Sequence, residues 1–271
     1  MRHVSAWIRM ARWSVVASLS GGCGTDREPI GPPDVALPPL DVGLDYQLGG
    51  AYDPPSGVGI VSRDRTAPVA PGRYNLCYVN GFQIQPDEEG FWQTEHPDLI
   101  LRDAAGSPVI DLEWDEMLID ISSAEKRAAV MTIAATWIDG CRQAGYDAVE
   151  IDNLDSYSRS GGLLVEDHAV AMMQAMAAAA HDDGLAIAQK NAAELVGRRS
   201  ELATDFVVAE ECNRFDECDV YREAYGDHVL VIEYRAQDFS AGCAAFPQLS
   251  IVLRDVDLAV PGAAGYVYDG C

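Results

Sequence analysis

Tyr146-Asp-Ala-Val-Glu-Ile-Asp-Asn-Leu-Asp-Ser-Tyr157 is the stretch that decides the fold, because a short apolar strand there stops abruptly in Glu150, Asp152, Asn153 and Asp155. The pattern recurs downstream. Gly-Leu-Ala-Ile-Ala-Gln-Lys-Asn ends at Lys190 and Asn191, Phe-Val-Val-Ala-Glu-Glu-Cys at Glu210 and Glu211, and Val-Leu-Val-Ile-Glu-Tyr-Arg at Glu233 and Tyr234. In a parallel barrel the C-terminal strand ends share one rim, and polar residues gathered on that rim form the site.

Strand-like runs lie near residues 43–48, 58–62, 74–80, 146–152, 184–190, 205–210, 228–234 and 249–254, which makes eight. Between two of them, residues 123–145 place Val130, Ile133, Ala134, Trp137, Ile138 and Cys141 at helical spacing. Ser122 with Glu125 has the form of a capping box, and Gly145 stands where such a helix stops. Residues 166–182 read as a second helix, and 192–203 and 216–226 as shorter ones. Alternation of helices with nearly continuous apolar strands predicts an α/β protein, and eight strands favour a TIM-like (β/α)8 barrel in a single domain. Residues 81–122 show no clear helix and read as long loops over the barrel mouth, carrying Trp92 and Trp114.

The first residues have another character. Arg2, Arg9 and Arg12 precede a short apolar run, Trp13 to Leu19, followed by Ser20, Gly21, Gly22 and Cys23. That predicts an export signal over residues 1–23, with either lipid modification at Cys23 or ordinary cleavage, and a secreted or surface-anchored protein. Residues 24–41 hold Pro29, Pro32, Pro33, Pro38 and Pro39 and read as a linker, which leaves 42–271 for the barrel domain. Six further cysteines permit three disulfides in an oxidising compartment. Cys212 and Cys218 are the best local pair, whereas Cys77 and Cys141 sit in apolar segments where buried free thiols are the alternative. Neither zinc-binding spacing nor an EF-hand loop is present around Glu150, Asp152 and Asp155, so no metal or cofactor is expected. His181 reads as a helix-end or packing residue.

The strings Asn75-Leu-Cys-Tyr78, Leu118-Ile-Asp-Ile121, Gly145-Tyr-Asp-Ala-Val-Glu-Ile-Asp-Asn153, Ala180-His-Asp-Asp-Gly-Leu185, Gln189-Lys-Asn191, Ala209-Glu-Glu-Cys212 and Glu233-Tyr234 run in a familiar order. Their order resembles that of glycoside hydrolase family 114, the endo-α-1,4-polygalactosaminidases, over about residues 42–271. The resemblance implies a (β/α)8-type barrel that cleaves α-1,4-linked galactosamine polymers. It puts the catalytic carboxylates on Asp152 and Glu210. The family's usual Asn-Glu-Gln-Cys is here Ala-Glu-Glu-Cys, which removes an amide and adds the acid Glu211.

Glycoside hydrolysis needs one carboxylic acid to protonate the leaving oxygen and one carboxylate to attack the anomeric carbon or activate water. Asp152 is the expected nucleophile and Glu210 the expected acid/base, with Glu150, Asp152 and Glu211 crowding Glu210 with negative charge. Tyr78, Asp120, Glu150, Asn153, Asp155, Tyr157, Lys190, Asn191, Glu211, Glu233 and Tyr234 complete the expected substrate-binding set. Salt bridges to Lys190, Arg159 or Arg235 are the other role open to Glu150 and Asp155. Tyr78, Tyr157, Tyr234, Trp92 and Trp114 are candidates for stacking on sugar rings. A formal net charge of −24 speaks against nucleic acid and anionic membranes and favours a cationic amino-sugar polysaccharide. A non-catalytic carbohydrate-binding barrel, and a glycosidase acting on another amino-sugar polymer, are the alternatives.

Overall fold

A computed structural model describes residues 35–271; the predicted export signal with Cys23, and residues 24–34 of the predicted linker, lie outside the described residues. The chain begins with β1 (Gly43–Tyr46), β2 (Val58–Asp64) and β3 (Tyr74–Asn80). An excursion follows, holding β4 (Gln83–Ile84), helix α1 (Glu89–Glu95), β5 (Ile110–Asp111) and β6 (Glu116–Leu118). Alternation then resumes with α2 (Ala124–Ala144), β7 (Ala148–Asp152), α3 (Ser156–Arg159), α4 (Glu166–Asp182), β8 (Ala186–Lys190), α5 (Arg199–Leu202) and β9 (Phe206–Glu210). It finishes with α6 (Cys218–Tyr225), β10 (Val229–Glu233), α7 (Ala236–Ala245), β11 (Ser250–Arg254) and β12 (Tyr268–Gly270).

The main sheet has the order β1-β2-β3-β7-β8-β9-β10-β11-β12, parallel through β11, with β12 antiparallel on its edge. The eight parallel strands are the eight read from the sequence. β1 returns beside β11, where Ser250 Oγ donates to the Val42 carbonyl at 2.6 Å and buried Arg254 lies 3.4 Å from Asp45. The result is a TIM-like barrel whose parallel strands aim their C-terminal ends at one mouth.

Period-two alternation sorts the side chains. Leu44, Tyr46, Ile60, Leu76, Ala148, Ala186, Ala188, Phe206, Val208, Leu230, Ile232 and Val252 pack on one another in the barrel interior. The intervening residues, among them Cys77, Val79, Val149, Ile151 and Ile187, face the helices and join the apolar sides of α2 and α4. Alternation therefore aims Tyr78 and Asn80 on β3, and Glu150 and Asp152 on β7, into the upper interior.

Three expectations change. Residues 81–122 contain α1 and a small sheet of order β4-β6-β5, rather than loop alone. The helix has 7 residues and the strands two or three, too short to leave a periodic signal, and packing holds them in place. Trp92 is fully buried in that packing, edge-on to Trp137, so it is a core residue and cannot stack on sugar. Trp114, by contrast, is exposed in the turn between β5 and β6. The cap of α2 is Ser123, whose hydroxyl accepts from the Lys126 N–H, while Ser122 instead donates to Asp120. Gly145 does end α2, with a left-handed φ of 90°.

Residues 35–41, the end of the expected linker, lie along the barrel: Val35 packs on the interior cluster and the Tyr74 hydroxyl donates to the Ala36 carbonyl at 2.7 Å. Three disulfides staple the domain. Cys212–Cys218 forms as expected, Cys77–Cys141 ties β3 to α2 where free thiols were the alternative, and Cys243–Cys271 ties α7 to the last residue. Among the described residues no helix is long and apolar enough to cross a membrane. His181 lies in the last turn of α4 with its Nε2 2.9 Å from Asp205, and that pairing raises its pKa against the opposing effect of burial.

Candidate active site

One ammonium organises the barrel mouth. Lys190 ends β8 buried, with Nζ 3.0 Å from Asp152 Oδ1, 3.1 Å from Glu210 Oε2 and 3.2 Å from Glu150 Oε1. A single atom touching both Asp152 and Glu210 means that those two oxygens lie within about 6 Å of each other. The negative charge expected around Glu210 is present, but a cation stands in its midst.

Below Lys190, the fully buried Glu150 accepts from the Tyr46 hydroxyl at 2.6 Å and from Ser62 at 2.9 Å. Burial pushes its carboxyl above the usual range, and Lys190 only partly opposes that. Asp152 goes the other way. Although burial disfavours its charge, Lys190, the Tyr78 hydroxyl at 2.6 Å and the Asn153 backbone together hold it below its ordinary value. Burial likewise works against the Lys190 ammonium, but Asp152, Glu210 and Glu150 outweigh it and keep the group charged. Tyr46, Tyr78 and Tyr234 are all pushed upward, chiefly by burial, and so remain hydrogen-bond donors.

Glu210 is held from two sides. Asn191 accepts from the Glu210 backbone N–H at 2.7 Å and donates from Nδ2 to its carboxylate at 3.1 Å, while the Tyr234 hydroxyl donates to the other oxygen. The residues that follow β7, β8 and β9, namely Asn153, Asn191 and Glu211, have φ of 63°, 46° and 56°. Each left-handed residue turns the chain sharply away once the polar side chain has been placed, at a cost of roughly 1–2 kcal/mol per residue that Asn tolerates best. At the exit of β3, a Cβ on Gly81 would sit 2.4 Å from Ile151 Cγ2, so only glycine lets the excursion leave so close to β7.

Of the residues expected from sequence, Tyr78, Glu150, Asp152, Lys190, Asn191, Glu210 and Tyr234 meet in this network. Asn153 stands beside it, donating to Asn80 at 3.1 Å. Others are occupied elsewhere. Asp155 is paired with Arg159 at 2.7 Å, the salt-bridge role that sequence left open, and Arg159 also holds Asp111. Asp120 accepts from Ser122 and lies 3.6 Å from Lys126, Tyr157 donates to Glu194, and Glu211 is bound by Arg214 at 2.8 Å. Glu233 is buried against Asn213 at 2.9 Å, and burial raises its pKa. These five sit outside the network because local partners claim them. Glu233 also lies near the Cys212 and Cys218 sulfurs, but a disulfide has no thiolate to offer a metal.

Tyr46, Ser62, Asn80 and Glu116 escaped the sequence reading. Asn80 carried a usable signal, being a polar residue at the end of an apolar strand like Asp152 and Lys190. Glu116 carried none, because its place depends on how the excursion folds back.

The sequence matches glycoside-hydrolase family GH114 over residues 25–271. The chain belongs to that family and is a glycoside hydrolase. Among solved structures, this GH114 chain is similar to Ega3 of Aspergillus fumigatus in complex with galactosamine. The two are 23% identical with a TM-score of 0.67, over 87% of this chain and 97% of that one. It is also similar to the glycoside hydrolase domain of PelA from Pseudomonas aeruginosa, at 16% identity and a TM-score of 0.55, over 82% and 98% of the two chains. At these identities the likeness is one of fold. A comparison with curated proteins finds no match.

Proposed function

We propose that this GH114 hydrolase cleaves α-1,4-linked galactosamine polymers internally and with retention of configuration, using Asp152 as nucleophile and Glu210 as acid/base. The observation that carries the reading is the shared contact with Lys190, which keeps one oxygen of each carboxylate within about 6 Å. Retaining enzymes hold their carboxyl groups about 5–5.5 Å apart, whereas inverting ones leave roughly 6.5–9.5 Å for a water. A merely carbohydrate-binding barrel has no need of such a pair.

In the first step Asp152, kept ionised by Lys190 and Tyr78, attacks the anomeric carbon. The bond to the leaving sugar breaks as Glu210 gives that oxygen its proton, leaving a glycosyl ester on Asp152. Lys190 touches both carboxyl groups, so its ammonium stays beside whichever of the two is the anion at each step. Water next attacks the ester carbon, Glu210 takes the proton, and Asp152 is released as carboxylate. Galactosamine as substrate unit is supported by the family and by the net charge of −24, which draws a polycation toward the barrel.

Residues 1–23 serve as the export signal, with Cys23 as lipid-attachment site, residues 24–41 as a linker and 42–271 as the catalytic domain. Three disulfides support folding in an oxidising compartment.

The test is incubation with defined α-1,4-galactosamine oligomers, reading products by mass spectrometry and the first-formed anomer by NMR. Release of internal fragments as the α anomer is expected. Asp152→Asn and Glu210→Gln should each lower turnover by several orders of magnitude at a nearly unchanged thermal midpoint. Near-parental hydrolysis by either variant would remove that residue's role, and a first-formed β anomer would remove the retaining mechanism.

A further inference from the structure

Nearly every carboxylate around the mouth is matched to a cation. Asp152, Glu150 and Glu210 share Lys190, Asp111 and Asp155 share Arg159, and Glu211 has Arg214. Glu233 has no cation but is shut off from solvent beneath Asn213. Glu116 differs from all of these. It is half-buried at the start of β6, and among the described residues no Lys, Arg or His lies within ion-pairing distance of it.

Its position is set by two ladders. In the barrel, Asn80 of β3 stands directly opposite Asp152 of β7, which places their side chains next to each other on the interior face. In the excursion, β6 is clasped between β4 and β5, with Met117 paired to Ile84 and Ile110, and Glu116 paired to Asp111. Met117 turns into the apolar core, so alternation sends Glu116 the other way, toward Asn80. Asn80 Nδ2 donates to Glu116 Oε2 at 3.0 Å. The amide oxygen of Asn80 meanwhile accepts from the Gln83 backbone at 3.0 Å and from Asn153 Nδ2 at 3.1 Å. Asn80 is thus held on both sides of its amide and places Glu116 one hydrogen bond from a direct neighbour of Asp152. Among the described residues the other Glu116 oxygen has no hydrogen-bond partner, yet it is not sealed away from solvent.

We propose that Glu116 is a specificity-determining residue that receives the ammonium of a galactosamine unit beside the scissile bond, so that the β4-β6-β5 excursion contributes an amino-sugar subsite to the barrel. This rests on the amino-sugar reading of the site and adds to it the residue that tells a free amine from an acetylated one. A partly buried carboxylate without a cation is costly to keep charged, and a substrate ammonium supplies the missing partner. The titration of Glu116 agrees: burial is the main cause raising it to about 7, with Asp152, Asp111 and Asp87 adding repulsion and the Asn80 hydrogen bond opposing them. An N-acetyl group brings no charge to such a site. Glu211, the extra acid that the sequence brings to attention, cannot serve in this way because Arg214 already neutralises it.

The experiment compares kcat/KM on fully deacetylated and fully N-acetylated α-1,4-galactosamine oligomers of equal length, for the parent, Glu116→Gln and Glu95→Gln. The last removes an equal charge from exposed α1. A charge-assisted hydrogen bond of roughly 1.5–3 kcal/mol corresponds to a factor of about 10 to 150. The deacetylated-to-acetylated ratio should therefore fall by at least about tenfold in Glu116→Gln and stay within about twofold in Glu95→Gln. In parallel, calorimetric titration with free galactosamine and with N-acetylgalactosamine reads binding without cleavage, and thermal midpoints confirm folding. Cleavage with a ratio insensitive to Glu116→Gln would overturn this assignment while leaving the hydrolase reading intact. Absent cleavage alongside galactosamine binding that Glu116→Gln abolishes would do the reverse. If the parent shows no preference for galactosamine in either assay, the subsite is refuted.

Discussion

Replacing Lys190 with methionine keeps most of the side-chain volume and removes one charge from among three carboxylates. The ammonium lies 3.0 to 3.2 Å from Asp152, Glu210 and Glu150, and Lys190 and Glu150 are 2% and 0% exposed. Removing one partner of a buried ion pair costs about 3–5 kcal/mol, because the charge left behind is buried and uncompensated. In a domain of this size that lowers the thermal midpoint by roughly 6–20 °C. The loss carries a pH signature. Glu150 is already raised by burial, and without Lys190 it is raised further. A carboxyl raised in the folded state keeps a proton that the unfolded chain has lost, so stability falls as pH rises from about 4.3, the unfolded value, toward the folded one. The gap between variant and parent should therefore be small near pH 5 and widen toward pH 8. Glu150→Gln placed in the variant should recover at least half of the loss at pH 8, since Gln can still accept from Tyr46. Urea unfolding of the oxidised protein at pH 5 and pH 8 measures all three chains. A Lys190→Met variant within about 1 kcal/mol of the parent at pH 8, or a gap independent of pH, would refute the claim that Lys190 neutralises a buried carboxylate cluster.

Asn191 holds Glu210 by backbone and side chain at once, so Asn191→Ala should lower kcat by at least about tenfold with little change in KM, and shift the alkaline limb of the pH–rate profile, which the general acid sets; an unaltered profile would make Asn191 a packing residue only. Breaking Cys212–Cys218 opens a loop of separation 6 and should cost roughly 2 kcal/mol, whereas breaking Cys77–Cys141, of separation 64, should cost roughly 4 kcal/mol. Paired Cys→Ser variants compared by denaturant unfolding check that order.

All eight barrel strands and the polar stops that end β7, β8, β9 and β10 were legible in the sequence, because both are local. A strand's inward and outward faces follow from its period of two, so Glu150 and Asp152 had to share a face whatever lay around them. Helix α2 was legible for the same reason, with an apolar stripe long enough to show its period. Partners were a different matter. Tyr46 reaches Glu150 across 104 residues and Lys190 reaches Tyr46 across 144, contacts that exist only once the sheet has curled round. Which acids kept a cation was therefore settled by closure of the barrel: Lys190 went to three of them, Arg159 to two, Arg214 to Glu211. The excursion after β3 was illegible because its elements are too short to carry a period, and Trp92 became core only through packing on Trp137. Sequence alone determined where the carboxylates proposed for catalysis stand along the chain, since strand ends are local. The tertiary structure alone decided which charges surround them, since Coulomb and hydrogen-bond energies depend on distance in space rather than along the chain.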